Sequence, residues 1–329
     1  MKILAPVSSI NEVKILISKG AEELYCGISL EAWEHKHGQD LWLSRRGPGK
    51  ANIGNLEILS ELVETAHNCG AKVFLTLNQP GYVKELAAEI LPFVQEVRRN
   101  CKVDAFIVAD PGLIRILKEK EQDIVIHVSS LAAVLNSSSV NFFRKLGVER
   151  IIFPRYLNVN SLNKIISTCG RELEYEVFIL NDGCVFEEGY CHVSHAYGGA
   201  FCHNPAWSYK LLSMVREDEK ESFRHCVDEY KRWLWVGIKN FGGLTGSDGY
   251  PLGMCGLCSL HEYKELGITS LKIVGREAPL RKKAKSVELV KRILDYENDG
   301  HPSGEVRDYA RRLKGVKRLC ETGYMCYDR

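Results

Sequence analysis

Residues 184 to 202 read CVFEEGYCHVSHAYGGAFC, which places three cysteines and two histidines within nineteen residues. The cysteines are spaced C-x6-C-x10-C, and Cys255 and Cys258 add a C-x2-C pair in GYPLGMCGLCSL. Thiolates in sets of four hold either zinc or an iron–sulfur cluster. Structural zinc sites favour knuckle pairs about two to four residues apart. Only one such pair is present, so the pattern leans toward a cluster whose ligands come from separate loops, with half-buried free thiols as the alternative. A second group of residues is cationic: Arg45 and Arg46 in LSRRGPG, Arg155 in FPR, and Lys272 and Arg276 in KIVGR. An arginine fork matches a carboxylate in bidentate geometry, so these positions, with His127 and Ser129, are candidates for holding an acidic small molecule.

Short apolar, β-branched runs alternate with amphipathic helical stretches along the chain. Strands are expected at 2–7, 22–27, 72–78, 105–110, 123–129, 150–155, 175–180 and 270–275. Helical patterns between them, such as NEVKILISKG and NLEILSELVETAHNCG, end in glycine at the expected C-terminal position. Strands separated by helices pair in parallel through right-handed crossovers. Eight of them over some 275 residues point to an α/β fold of the (β/α)8 TIM-like barrel type. A doubly wound open sheet is the runner-up, but APVSSIN after the first strand lacks its phosphate-binding glycines. Two connections, 28–56 and 181–258, are too long for plain crossovers, and the second is the cysteine-bearing insertion after the seventh strand. Both follow strands, which puts them at the C-terminal mouth where barrel enzymes keep their sites. The barrel domain is expected over 1–280, including that insertion, with 281–329 as a C-terminal helical tail.

Hydrophobic content of 45% and charged content of 26% are those of an ordinary globular chain, and a net charge of +2 implies no general attraction to polyanions. No stretch approaches the roughly 18 apolar residues of a membrane helix, so a cytoplasmic protein without a membrane partner is expected. Twelve cysteines are many. In a reducing compartment they read as metal ligands plus buried thiols, with a hint of an anaerobic source. The cations of KKAKSVELVKR read as a solvated helix face, so RNA is a weaker expectation as partner than a small molecule.

EVFILNDGCVFEEGYC resembles the signature region of the collagenase-like peptidase family U32, with Gly189-Tyr190-Cys191 in its G-x-C context. Cys202 ahead of Pro205, Gly249-Tyr250-Pro251 ahead of Cys255, and the closing Lys272-Ile273-Val274-Gly275-Arg276 are similar to further blocks of that family. LAPVSSINEVKILISKGAEELYCG is similar to its opening. HVSSLAAVLNSSSVNFFRKLGVERIIFPR is similar to an internal block that places His127, Ser129, Asn136 and Arg155 on matching positions. The resemblance runs over about residues 2 to 280. The sequence departs from the family pattern at Leu131, Tyr156 and Val274, with Glu277 displaced beyond Arg276; these changes spare the cysteines and touch the substrate side.

The resemblance implies a 4Fe–4S cluster held by Cys184, Cys191, Cys202 and Cys255, with Cys258 able to replace Cys255. It further implies an oxygen-independent hydroxylase or its subunit, an oxidoreductase acting on quinone precursors or RNA bases with a carboxylate-bearing donor such as prephenate. Arg45, Arg46, His127, Arg155, Lys272 and Arg276 are then the substrate-binding positions, and no residue is singled out as catalytic. Two alternatives stand beside this reading. One is a collagenase-like peptidase, for which neither H-E-x-x-H nor G-x-S-x-G is present and Cys191-His192 and Cys202-His203 are the only Cys–His neighbours of the loop. The other is a non-catalytic iron–sulfur electron-transfer partner paired with a second family member as a heterodimer. Cys320 and Cys326 are left without a role.

Overall fold

The computed structural model describes residues 1–37, 42–46, 49, 51–121, 123–181, 216–233, 244–316, 320–321, 323 and 325–328. Eight strands close into a barrel in sequence order: β1 Lys2–Pro6, β2 Glu23–Cys26, β3 Lys72–Leu77, β4 Ala105–Val108, β5 Ile126–Val128, β6 Arg150–Ile152, β7 Glu174–Leu180 and β8 Ser270–Ile273. Every neighbouring pair is parallel, and β8 closes onto β1 with Ile3 opposite Leu271. All eight expected strands are therefore present, and the (β/α)8 architecture is the observed one. Short strands of β-branched and aliphatic residues are what a sheet covered on both faces requires.

The outer helices are α1 Ile10–Ser18, α2 Glu31–His37, α3 Leu56–Asn68, α4 Lys84–Asn100, α5 Pro111–Lys120, α6 Ser137–Lys145, α7 Val159–Cys169, α8 Glu217–Trp233, α9 Leu260–Leu266, α10 Leu280–Asn298 and α11 Ser303–Lys314. Side-chain caps start several of them. Asn55 accepts from the Ile58 amide at 2.8 Å, Asp110 from Leu113 at 2.6 Å and Asn158 from Ser161 at 3.0 Å, each satisfying an orphan amide of a first turn. Helix α8 starts at a run of three acidic residues, Glu217, Asp218 and Glu219, whose charge favours a helix N-terminus.

Alternate residues of each strand divide the core in two. Ile3, Leu24, Val73, Leu75 and Ile151 face the helices, while Leu4, Tyr25, Phe74, Ile107, Ile152 and Phe178 fill the barrel. In the stretch 281–329, expected as a C-terminal helical tail, described residues pack against the barrel. Helix α10 buries Val287, Leu289, Val290 and Ile293 against the outer core, as an eighth barrel helix does. Met325 and Tyr327 from the C-terminal segment pack with Met254 onto the inner cluster.

Candidate functional site

The barrel interior is charged at its deeper level. Arg150, 2% exposed, forks onto Glu23 with both nitrogens at 2.8 Å, and it also reaches Glu176 at 3.0 Å and Glu174 at 2.5 Å. Ser270 donates its hydroxyl to Glu23 at 2.7 Å. Burial by itself would raise the Glu23 carboxyl; the hydrogen bonds and charge of Arg150, with Ser270, outweigh it and hold the carboxyl below its ordinary range. Glu176 is shared, since its other oxygen accepts from the Lys272 ammonium at 2.8 Å. Lys272 also stands 4.2 Å over the ring of Tyr25.

Above this network, at the C-terminal ends of the strands, a small cavity is partly open to solvent. Arg45, Arg46, Arg155, Lys272 and Arg276 line it, with Tyr25 and Phe178 as its aromatic walls; among the described residues no carboxylate lines it. The elements fix each cation in a different way. Arg276, just past β8, donates to Asn52 Oδ1 and Thr76 Oγ1, each at 3.1 Å. Its guanidinium runs beside Gly27, where an added Cβ would lie 2.0 Å from the Arg276 nitrogen, so the site needs glycine there for its space. Arg155 lies 3.9 Å above the Phe178 ring. The Arg45 amide is pinned by Asn78 Oδ1 at 3.0 Å, the Arg46 carbonyl accepts from Asn52 and Ser44, and Arg46 meets Glu277 at 3.6 Å on the rim.

The electrostatics are those of crowded cations in a partly dry cleft. Burial, together with Arg46 and Arg45 nearby, pulls Arg276 down to about 10 against the opposing influence of Tyr25 and Cys26. Lys272 is lowered too, by burial first, with Glu176 resisting and Arg150 adding to the depression. An incoming anion reverses both effects.

Five of the six expected substrate-contact positions thus converge on one cavity, and Ser129 joins them. His127 does not line it. It stands inside the barrel, opposite Arg150 in the β5–β6 register and edge-on to Phe74 at 4.5 Å. Burial and the charges of Arg150 and Lys272 push it well below the ordinary histidine range, so it is neutral. Gly27, Asn52, Thr76, Asn78, Phe178 and Glu176 are the positioning residues that sequence reasoning passed over.

Among the cysteines, Cys184, Cys191 and Cys202 lie outside the described residues, as do His192, His195, Glu187 and Glu188. Cys255 is 8% exposed where the chain returns from the insertion. Its backbone bridges Leu180 at the end of β7, and the next amide, Gly256, donates to the Ile179 carbonyl at 2.9 Å. Cys26, beneath Arg276, is raised to about 12 by burial and is inert as a nucleophile, as expected of a small apolar strand residue. No helix among the described residues is long and apolar enough to cross a membrane.

A closed parallel barrel whose strand ends gather cations around an open cavity defines the class: a (β/α)8-barrel protein with a cationic mouth. The profile of peptidase family U32 matches residues 8–329, and the chain belongs to that family. Its relatives include the "tRNA hydroxylation protein P" of Helicobacter pylori, 28% identical over 194 residues, which cover 59% of this chain and 42% of the relative. The protein of the same name in Escherichia coli is 23% identical over 238 residues, 70% of this chain and 48% of the relative. A 23S rRNA 5-hydroxycytidine synthase of Escherichia coli is 27% identical over 205 residues, 60% of this chain and 27% of the relative. The chain spans less than half the length of each of these three relatives. A solved U32 peptidase superposes with a TM-score of 0.47 at 16% identity, over 66% of this chain and 85% of the other.

Proposed function

We propose that this chain is an oxygen-independent hydroxylase, or the cluster-bearing subunit of one, that holds a carboxylate donor at the barrel mouth. The observation carrying this reading is the cavity lined by five cations and two aromatic rings with no carboxylate among the described lining residues. That lining suits a compact ring bearing one or more carboxylates, the class to which prephenate belongs. Arg276 and Lys272 bind and orient the carboxylates, Arg155 and Phe178 cover the ring, and Tyr25 shields Lys272 from water. The relatives named for tRNA and rRNA hydroxylation favour an RNA base as acceptor over a quinone precursor.

The cofactor in this reading is a 4Fe–4S cluster. Cys184, Cys191 and Cys202 hold it, and the family pattern gives the fourth position to Cys255, whose buried thiol stands where the insertion rejoins β7. Soft thiolate donors are the ligands such a cluster takes; when bound it supplies one-electron transfer. The peptidase reading gains nothing from the described residues: His127 is buried among cations, and Cys26 is held protonated.

Two measurements test the proposal. Protein purified without oxygen should show the broad visible absorbance and paramagnetic resonance of a cluster, and should release iron and sulfide. Calorimetry should show prephenate binding that Arg276→Gln weakens by about tenfold or more, the equivalent of ~1.4 kcal/mol. A colourless, iron-free protein that ignores prephenate overturns the reading.

A further inference from the structure

Helices α10 and α11 pack together on the outside of the barrel, and cations that read from the sequence as a solvated face are joined there by aromatic rings. Arg281 and Lys285, in the first turns of α10, both come within 3.8 Å of the place a Cβ on Gly249 would occupy. Lys285 stands 5.2 Å from the centre of the Tyr250 ring. The Tyr250 hydroxyl accepts from Arg292 at 2.8 Å, and Arg292 also reaches the Tyr309 hydroxyl at 3.5 Å. Arg312 lies 5.9 Å from the centre of the Tyr309 ring. That ring is stacked on Tyr296 at 4.3 Å, and His301 is stacked on Tyr296 in turn at 3.6 Å. The three stacked rings are half-buried, while Arg281, Arg292 and Arg312 are exposed.

The charges on this face do not cancel. Glu288 is taken by Lys285 and Lys19, Asp295 by Lys291, and Glu305 by His301 and the Tyr296 hydroxyl. Asp308 lines the neighbouring groove with Arg311. Arg281, Arg292 and Arg312 have no carboxylate partner among the described ion pairs, and Arg292 and Arg312 rest on phenol oxygens and a ring. Their charge and most of their N–H donors are left to a ligand. The net charge of the whole chain is only +2, so this attraction is local. A guanidinium fork matches a phosphate and a stacked ring offers its flat face to a base, the combination that holds single-stranded RNA without reading its sequence. An acidic protein would meet the same cations and leave the stacked rings unused. Helix α10 begins just past Arg276, so the row of cations starts beside the mouth, and Arg281 and Arg292 stand about 16 Å apart along its axis. We propose that this face of α10 and α11 binds the RNA strand whose base is delivered to the mouth. Arg281, Arg292 and Arg312 take its phosphates, and His301 presents the end of the ring stack to a base. The inference rests on the RNA-acceptor reading above and adds the surface that holds the acceptor.

The test is fluorescence anisotropy of the full chain with a labelled oligouridylate, titrated over a range of salt. In the triple variant Arg281→Gln, Arg292→Gln, Arg312→Gln the affinity should fall at least about tenfold, and the slope of log affinity against log salt should flatten by about 2, since each phosphate contact on a single strand contributes about 0.7. Removing three exposed cations that already have carboxylate partners elsewhere, by Lys36→Gln, Arg115→Gln and Arg144→Gln, should change neither quantity. Equal losses in the two triple variants, or no loss in the first, overturn the surface. Ultraviolet crosslinking of the native chain to the same RNA depends on no variant that has to fold. Crosslinked peptides should carry His301 or Tyr309, and crosslinks confined to other segments sink the proposal. Polyglutamate that displaces the RNA as well as an equal charge of unlabelled oligouridylate assigns the face to an acidic protein instead. RNA held here by a chain that lacks iron and ignores prephenate keeps this surface and removes the donor reading. A cluster-bearing, prephenate-binding chain that holds no RNA on this face does the reverse.

Discussion

Glu176 is 0% exposed and bridges two buried cations, which makes Glu176→Gln the sharpest probe of how the barrel holds its mouth. The amide keeps the shape and removes the charge. Arg150 retains its fork on Glu23 and its contact with Glu174, so its loss is partial. Lys272 has no other carboxylate partner among the described ion pairs, and its ammonium is left buried without a counter-charge. Breaking one side of a buried pair costs about 3–5 kcal/mol, and that is the expected loss of unfolding free energy near neutral pH.

The sign of the pH dependence follows from Lys272. Its folded pKa is already lowered, and the Glu176 charge is the largest influence resisting that depression. Without it the folded value falls further, while the unfolded value stays near 10.5. Between the two values the unfolded chain binds more protons, so stability rises with pH across that window. The window is wider in the variant, so the deficit against the native protein should shrink as pH rises toward about 10, by about 1.4 kcal/mol for each unit that the folded value has dropped. Equilibrium urea titrations at several pH values measure it. Adding Lys272→Met should recover much of the loss, because removing both charges of a buried pair costs far less than removing one. A single-variant cost below about 1 kcal/mol, the scale of a surface pair, or a deficit independent of pH, would refute the argument.

Three further outcomes are expected. His127 is held neutral inside the folded barrel, so below about 6.5 the unfolded state takes up a proton that the folded state refuses, and stability falls as pH drops. His127→Leu should flatten the acid limb of a stability–pH curve by up to about 1.4 kcal/mol per pH unit, and at neutral pH it removes a ring nitrogen that lacks a hydrogen-bond partner among the described residues. Gly27→Ala puts a methyl 2.0 Å from the Arg276 guanidinium and 2.4 Å from Asn52 Oδ1. It should cost about 1–3 kcal/mol of stability and at least about tenfold in carboxylate affinity by calorimetry. Arg155→Lys keeps the charge but not the planar stack on Phe178, and should weaken a ring-bearing carboxylate by about 0.5–2 kcal/mol while sparing a small one such as acetate.

The barrel was legible because each strand is a short apolar run with helix signals on either side. The cations of the mouth were legible because Arg155, Lys272 and Arg276 sit at strand ends, where a barrel presents its chemistry. The network beneath them was not. A charge within EYEVFIL reads as the solvent side of an alternating strand, yet in a closed barrel the alternate face is the interior, and Glu176 and Arg150 point there. Parity offered the signal: Glu23, Arg150, Glu176 and Ser270 are polar residues in strands otherwise covered on both faces. Gly27, Asn52 and Thr76 gave no signal, since small residues acquire their role only from a guanidinium that arrives from the far end of the chain. The return of 325–328 onto Cys255 is likewise long-range pairing that no local period encodes.

The two levels of charge explain one another. Arg150 and Lys272 are matched by Glu23 and Glu176 within the barrel, so that level is near balance. Arg276 is different: its recorded hydrogen bonds go to the neutral side chains of Asn52 and Thr76, and it is 8% exposed. A buried guanidinium whose acceptors among the described residues are neutral carries a desolvation cost that they offset only in part, and this burial, with Arg46 and Arg45 nearby, pulls its pKa down to about 10. A carboxylate entering the cavity removes that cost together with making its own bond, so Arg276 contributes more to binding than an already paired arginine would. The same logic makes the ligand a stabiliser of the fold. At a concentration 100 times its dissociation constant, a carboxylate that binds only the folded chain adds about 2.7 kcal/mol. In Arg276→Gln that increment should largely vanish, whereas in Arg46→Gln, where the cation is half-exposed and meets Glu277 on the rim, most of it should remain.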